Sequence, residues 1–257
     1  MGISVTGLSI TPIKGTRVRA VHDIRLDRFG VRENRRFYVI DHRDHLVNGK
    51  RLGELTALVS DYDHERRRLR LEFPDGTLLE ETIGQGPLVK TWFFSQESLA
   101  RLVEGPWSNA LTEYSGHPLR LVEAQSAGVD RGMAGAASLI SRASLGRLAQ
   151  EADQDDIDCR RFRMLIEIDG IDAHAEDRWV GQTTSVGDAT IRWRGHVGRC
   201  LTTSRDPDSG EIDLPTLEML RNYRAALEST EPLPFGIYGE VVEGGTVAVG
   251  DRVAVVQ

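Results

Sequence analysis

The stretch Gly198-Arg199-Cys200-Leu201-Thr202-Thr203-Ser204-Arg205-Asp206-Pro207-Asp208-Ser209-Gly210 concentrates more reactive chemistry than any other part of this chain. A thiol beside a guanidinium and followed by two hydroxyl residues sits where a thiolate can be stabilised, and the Asp-Pro-Asp-Ser-Gly after it is a turn that presents it. Residue types alone leave Cys200 three roles: metal ligand, nucleophile, or inert buried thiol, since free cysteines are commonly core residues. His196 stands four residues earlier and titrates near neutrality, which makes it a candidate proton donor, with a structural histidine as the competing reading. Cys159, in Asp158-Cys159-Arg160, has no comparable setting and is read as non-catalytic. His42, His45 and His64 lie among polar loop residues without metal-ligand spacing.

The elements that must position these residues are mostly strands. Val5 to Ile10, Ala20 to Leu26, Arg36 to Asp41, Leu55 to Asp61, Leu69 to Phe73 and Leu88 to Phe93 read as short strands with turn punctuation, several alternating with period two. Such close spacing predicts a small barrel or sandwich. The run Arg66-Arg67-Arg68 with Arg70 interleaves with Leu69, Leu71 and Phe73 before Pro74-Asp75-Gly76, so it reads as the solvated face of a strand entering a turn. Ser141 can cap a helix that carries Leu145, Leu148 and Ala149 and ends in the charged loop Glu151 to Asp156. A second helix starts at Pro215 and places Leu217, Leu220 and Leu227 on one face. Arg163 to Asp169, Ala189 to Arg194, Phe235 to Val241 and Val247 to Val256 return to β, the last broken by the turn signal Gly250-Asp251. Trp179 and Trp92-Phe93-Phe94 read as core. The Gly/Ala-rich Ala127 to Ala137 places a division near residue 125.

Composition narrows the function. The chain has 257 residues, 40% hydrophobic, enough for one large domain or two small ones. A net charge of −7 argues against general nucleic-acid binding, which needs a basic surface, so an anionic ligand must find a local basic pocket. No apolar run approaches the roughly 18 residues of a membrane span, and the start lacks a signal-peptide pattern, so a cytoplasmic protein is expected. Two cysteines are expected to be free thiols. Only Lys14, Lys50 and Lys90 among 32 basic residues are lysines, a skew that suggests a GC-rich bacterial genome.

With these segments in order, the sequence resembles the MOSC family, the molybdenum-cofactor sulfurase C-terminal domain proteins, including the β-barrel that often precedes that domain. Thr11-Pro12-Ile13-Lys14-Gly15 is similar to the family's Tyr-Pro-Val-Lys-Ser, and Asn34-Arg35-Arg36-Phe37-Tyr38 to its Asp-Arg-Arg or Asp-Arg-Phe strand. Arg161-Phe162-Arg163 resembles Arg-Phe-Arg-Pro-Asn, with Met164-Leu165 in place of Pro-Asn. Glu176-Asp177-Arg178-Trp179 resembles Glu-Asp-x-Trp, Gly250-Asp251-Arg252-Val253 the closing Gly-Asp-x-Val, and the Cys200 stretch Arg-Cys-x-x-Thr-Thr-x-Asp-Pro-x-Thr-Gly.

The resemblance implies a mostly β (α+β) fold, with an N-terminal small β-barrel domain over 1–124 packed on a MOSC β-barrel with a few helices over 125–257. It implies a molybdopterin-type molybdenum cofactor with Cys200 as metal ligand, a soft thiolate donor suited to a metal already held by dithiolene sulfurs. The cofactor phosphate would be held by Lys14, Arg36 and Arg163, supported by Arg199, Thr202 and Thr203. Of the adjacent pair Arg35 and Arg36, strand alternation lets one point inward, and Arg36 is the expected one. The family's acid before the first helix falls nearest Asp130, with Met133 at the gap-free position.

Amidoxime-reducing members imply reduction of an N-hydroxylated or N-oxygenated small molecule. The chain has neither a Cys-rich cluster segment nor a Gly-rich dinucleotide fingerprint, so electrons would come from a ferredoxin-like or flavoprotein partner. Two alternatives keep the fold: metal-free sulfur transfer or carbon–sulfur cleavage with Cys200 as nucleophile or persulfide carrier, and a non-catalytic carrier of the pterin cofactor.

Overall fold

The computed structural model describes residues 2–125, 130–229 and 231–256. In the first part the strands are β1 Ser4–Ile10, β2 Arg19–Val21, β3 Asp23–Leu26, β4 Phe37–Ile40, β5 Leu46–Val47, β6 Val59–Asp63, β7 Arg68–Glu72, β8 Leu78–Thr82, β9 Gly84–Phe93, β10 Gln96–Glu104 and β11 Arg120–Ala124, with helix α1 Trp107–Ser115 before β11. Then come β12 Ala137–Ser141, α2 Arg142–Glu151, β13 Ile166–Asp169, β14 Thr183–Val186, β15 Ala189–His196, α3 Thr216–Arg224, β16 Ile237–Glu243, β17 Gly245–Ala248 and β18 Val253–Val256. The fold is a β-rich α+β fold.

Period-two alternation does what the sequence leads one to expect in β7, where Leu69 and Leu71 are buried and Arg68 and Arg70 face solvent. Arg67 departs from that solvated face: it reaches back to Glu123. The five-stranded sheet β5-β4-β11-β10-β9 and the three-stranded sheet β6-β7-β8 bury their apolar sides in one core with α1. An expected small barrel is thus built as two sheets around Phe37, Leu69, Leu71, Trp107 and Leu121.

The second body is an eight-stranded sheet in the order β18-β14-β15-β16-β12-β13-β1-β2. Among the described residues only β12 and β13 pair in parallel in it, and α2 lies between them in sequence as the crossover such a pair requires. Ser141 caps α2 by accepting from the Ser144 N–H, as its position before the apolar period suggests. The division expected at 124/125 abuts residues 126–129, which lie outside the described residues, and strand pairing does not follow it. β1 pairs with β13 and β3 with β17, so the first 26 residues are woven into the later sheets.

Several local expectations shift. Leu55 to Asp61 is not one strand: a 3-10 turn fills Gly53–Ala57 and β6 begins at Val59. Ala20 to Leu26 divides at His22, and Arg163 precedes β13 rather than starting it. Helix α1 escapes the periodicity because its buried side is only Trp107 and Leu111, one turn apart. α3 buries Met219 and Leu220; Leu227 falls beyond its end. Trp179 is core, but of the aromatic triplet only Phe93 is buried, with Trp92 44% and Phe94 63% exposed.

Candidate functional site

Cys200 is placed by a crossing of two chain segments. β15 ends at His196 opposite Ile237, and the chain continues beside the approach to β16 through Val197 N–H to Gly236 O, Phe235 N–H to Val197 O and Arg199 N–H to Pro232 O. Cys200 then accepts from the Thr203 N–H with its carbonyl and opens the 3-10 turn Leu201–Ser204. Its side chain is exposed, with Sγ 3.5 Å from the Thr202 hydroxyl. The inert-core reading therefore fails for Cys200. It fits Cys159, whose half-buried thiol is pushed up to about 12 by burial and by Glu167.

Cys200 lies on the wall of a cleft of about 540 Å³, within the ~300–1,000 Å³ usual for small-molecule sites. Lys14, Asp130, Arg163, Arg199, Thr202 and Thr203 line the same cleft. Lys14 arrives on the turn after β1, its N–H bonded to Phe37 O, and its ammonium pairs with Asp130. Gly15 beside it has φ +104°, a left-handed conformation open to glycine where a serine would be strained. Arg163 caps the 3-10 turn Cys159–Phe162 with φ 55° and donates to Thr16 O at 2.7 Å. Arg199 donates to Phe162 O at 2.9 Å and, through Nε, to Phe235 O at 2.8 Å, and lies over the Phe162 ring. Thr203 spends its hydroxyl on Cys200 O, whereas Thr202 keeps its own beside the thiol.

The electrostatics of this wall are lopsided. Burial pulls the Arg163 and Arg199 guanidiniums down to about 9, Arg35 adding to the effect on both. Burial also lowers Lys14, partly offset by Asp130. Burial by itself would raise Asp130, but Lys14 and Arg35 outweigh it and hold the carboxyl well below the usual carboxylate range. One carboxylate thus answers two of the four cations, and among the described residues Arg163 and Arg199 make no ion pair.

Two expected site residues lie elsewhere. Arg36 does not face the cleft: it pairs with Glu123 at 2.9 Å, which Arg67 holds from the other side at 3.0 Å. Arg35 takes the inward place, pairing with Asp130 and donating to Arg163 O at 2.7 Å. The reason is local. Arg35 has φ 51° just before β4, and that left-handed residue reverses the alternation on which the choice of Arg36 rests. His196 also turns away from Cys200. A register shift between Trp193 and Gly195 precedes it, and its Nε2 lies 3.6 Å from Asp177 Oδ1, outside the cleft.

The cleft also takes in Phe29, Phe94, Asn48, Arg131, Glu231 and Tyr238. Asn34-Arg35-Arg36 contained the one sequence signal among the missed residues, as an adjacent cationic pair; the others come from loops, or for Tyr238 from β16, with no local pattern. Among the described residues no three His, Cys, Asp or Glu side chains gather as metal ligands, so a metal at Cys200 must bring its other donors with it. A dithiolene-bound molybdenum does so, and the unpaired cations suit its phosphate. The residues present fit that group.

Comparison with known proteins agrees with the β-rich fold. A MOSC domain matches residues 127–254 and a MOSC N-terminal beta barrel domain residues 2–99, and the chain belongs to the MOSC-domain family. It is 34% identical over 122 residues to mitochondrial amidoxime-reducing component 1 of Homo sapiens, a match covering 45% of this chain and 35% of that protein. With mitochondrial amidoxime reducing component 2 of Rattus norvegicus it shares 36% over 122 residues, at the same coverage. The matches therefore span about a third of the length of these relatives. Among solved structures, the YUAD protein from Bacillus subtilis superposes with a TM-score of 0.46 and 10% identity over 98% of this chain and 94% of that one. No helix among the described residues is long and apolar enough to cross a membrane.

Proposed function

We propose that the protein is a molybdenum-cofactor-dependent reductase that removes oxygen from N-hydroxylated or N-oxygenated small molecules, with Cys200 as the protein's ligand to the metal. The observation that carries this reading is an exposed thiol on a cleft wall that also carries the half-buried Arg163 and the buried Arg199, neither of which pairs with a carboxylate among the described residues. Lys14, Arg35 and Arg163 would hold the cofactor's phosphate, each charge-assisted bond contributing about 1.5–3 kcal/mol. Arg199, fixed to two carbonyls, would act mainly by its charge and by bracing the Cys200 turn. Thr202 would orient the sulfur.

Bound there, the cofactor supplies a centre that exchanges two electrons and accepts oxygen. The net reaction takes a substrate N–OH, two electrons and two protons to N–H and water. Asp130 is held ionised, so it serves as counter-charge to Lys14 and Arg35 rather than as the acid. Electrons would come from a ferredoxin-like or flavoprotein partner, because the chain's only cysteines are Cys159 and Cys200 and no cluster can be built from them. Two free thiols suit a reducing compartment such as the cytoplasm.

The exposure of Cys200 equally favours a second reading, metal-free sulfur transfer with Cys200 as nucleophile or persulfide carrier. Elemental analysis for molybdenum and pterin extraction separate the two, on wild type and Cys200→Ser made in a cofactor-competent host. The reductase reading expects both groups in the wild type, turnover of an amidoxime with a reduced dye, and loss of that turnover by at least about 100-fold in the serine variant. Wild-type protein without metal or pterin sinks it and leaves the thiol chemistry. Metal and pterin without turnover of any N-hydroxylated compound point to a cofactor carrier.

A further inference from the structure

Three separate segments carry the thiol and its nearest cations: Lys14 on the turn after β1, Arg163 at the end of the 3-10 turn Cys159–Phe162, and Cys200 at the head of the 3-10 turn Leu201–Ser204. One carboxylate that does not line the cleft, that of Asp208, joins them. Three residues after Lys14, Arg17 donates from Nη2 to Asp208 O at 2.8 Å and pairs through Nη1 with the carboxylate at 3.3 Å. Three residues before Arg163, Arg160 closes on the same carboxylate with both arms at 2.8 Å.

Asp208 is in turn fixed to the chain that leaves Cys200. The Asp206 carboxylate accepts from the Asp208 N–H at 3.0 Å, the Ser209 N–H at 2.7 Å and the Ser209 hydroxyl at 2.9 Å, which stiffens this turn. Arg205, just after the 3-10 turn, bridges to Ile212 across its base, and Arg161 donates to Arg205 O at 2.7 Å. A Cβ at Gly53 would fall 2.5 Å from Gly210 O, so the tip of the turn lies main chain to main chain against the first half of the sequence.

Asp208 is 49% exposed and Arg17 and Arg160 31%, and pairs this open to water add little to stability. A two-armed contact between guanidinium and carboxylate does fix direction and distance. Arg160 is itself anchored by Asp158, which accepts from its Nε and Nη2 at 2.9 and 2.6 Å. In the motif that this stretch resembles, Asp-Pro-x-Thr-Gly, Asp208 stands at the open position, so the motif does not call for a carboxylate there.

We propose that Asp208 is a positioning residue: by binding Arg17 and Arg160 together it sets the spacing between the Cys200 sulfur and the cations of Lys14 and Arg163. The inference rests on the proposed use of the cleft, in which the thiol and the cations hold one molecule at two points. A ligand held in this way tolerates little change of spacing, since a misplacement of about 1 Å can cost on the order of 100-fold.

Two alkylating reagents of similar size test this on the full chain made in a host that lacks the pterin, where the thiol is free. Iodoacetate is an anion and iodoacetamide is neutral, so the ratio of their rates at Cys200, read by mass spectrometry at low salt, reports how near the cations stand. Looser packing moves both rates alike and cancels in the ratio. Asp208→Ala should lower the ratio at least about threefold. Removing a carboxylate would by charge alone raise it, so a fall has its source in geometry. An unchanged or raised ratio overturns the proposal. Cys159, half-buried and with its thiol pushed up to about 12, stays unlabelled while the chain is folded. If it reacts in Asp208→Ala, the isosteric Asp208→Asn decides by the same ratio. The measurement needs neither metal nor turnover. A lowered ratio in a chain that never takes up molybdenum counts against the redox reading alone, and an unchanged ratio in one that does counts against the role of Asp208 alone.

Discussion

Two groups of buried polar side chains flank the segment from His196 to Cys200, and they are incomplete in opposite ways. On the cleft side, Arg163 donates one hydrogen bond to Thr16 O and Arg199 donates to Phe162 O and Phe235 O, but among the described residues no carboxylate pairs with either charge. On the far side, Asp177 pairs with Arg224 at 2.9 Å and approaches His196, so charge is answered there. Yet among the described residues His174 Nδ1 and Nε2, Asp177 Oδ1, His196 Nε2, Tyr223 Oη and the Arg224 NH2 group have no hydrogen-bond partner. Surplus positive charge suits a bound anion; balanced charge with spare donors and acceptors suits buried water. On the proposed function, one wall takes a ligand and the other holds the fold. Glu176 ties the second group to α2: it is fully buried, accepts from Ser141 and Ser144, and burial raises its pKa.

The comparison breaks most visibly at Asp177. Asp177→Ala leaves Arg224, 6% exposed, without its counter-charge, and should cost about 3–5 kcal/mol in a urea melt. A melt unchanged within 1 kcal/mol, as the surface-pair range would allow, contradicts a structural role for the far group. Arg163→Met should do the reverse. Removing a desolvated guanidinium with no ion-pair partner should shift the same melt by less than about 1 kcal/mol while cutting retained pterin at least about tenfold, read by extraction.

A smaller effect sharpens the pH side. His174 is pulled down to about 4 by burial and by Arg224, so between that value and its ordinary 6.5 the unfolded chain binds the extra proton. Stability should therefore be full above about pH 6.5 and fall as the pH drops towards 4, by roughly 1 kcal/mol once solvent screening is allowed for. His174→Gln should flatten that part of the stability–pH curve, and an unaltered slope would assign it to other groups. Smallest of all, Arg36→Ala should cost about 0.5–1 kcal/mol in the melt and leave pterin retention unchanged, since Arg67 still holds Glu123. Lost pterin in that variant would return Arg36 to the cleft.

Much of this was legible in the chain itself. The Cys200 stretch, the Ser141 cap, the alternation in β7 and the Gly250-Asp251 turn are local patterns, and local patterns survive into the fold because capping, turn geometry and pleat depend on near neighbours. Helix α1 and the edge aromatics Trp92 and Phe94 were not, because which apolar side chains stay exposed is set by what packs over them.

Sequence by itself singled out Cys200 as the candidate reactive residue and Lys14, Asp130, Arg163 and Thr202 as residues to watch, all five of which line one cleft. Tertiary structure decided which of two adjacent arginines enters the cleft, through one left-handed residue and a carboxylate on β11. It also turned His196 towards Asp177 and joined Arg17, Arg160 and Asp208, residues from three separate segments, into one network. The physical reason is the same in each case. A side chain's direction follows from its own backbone, but its partner is fixed only when distant segments pack, and charge meets carboxylate through that packing.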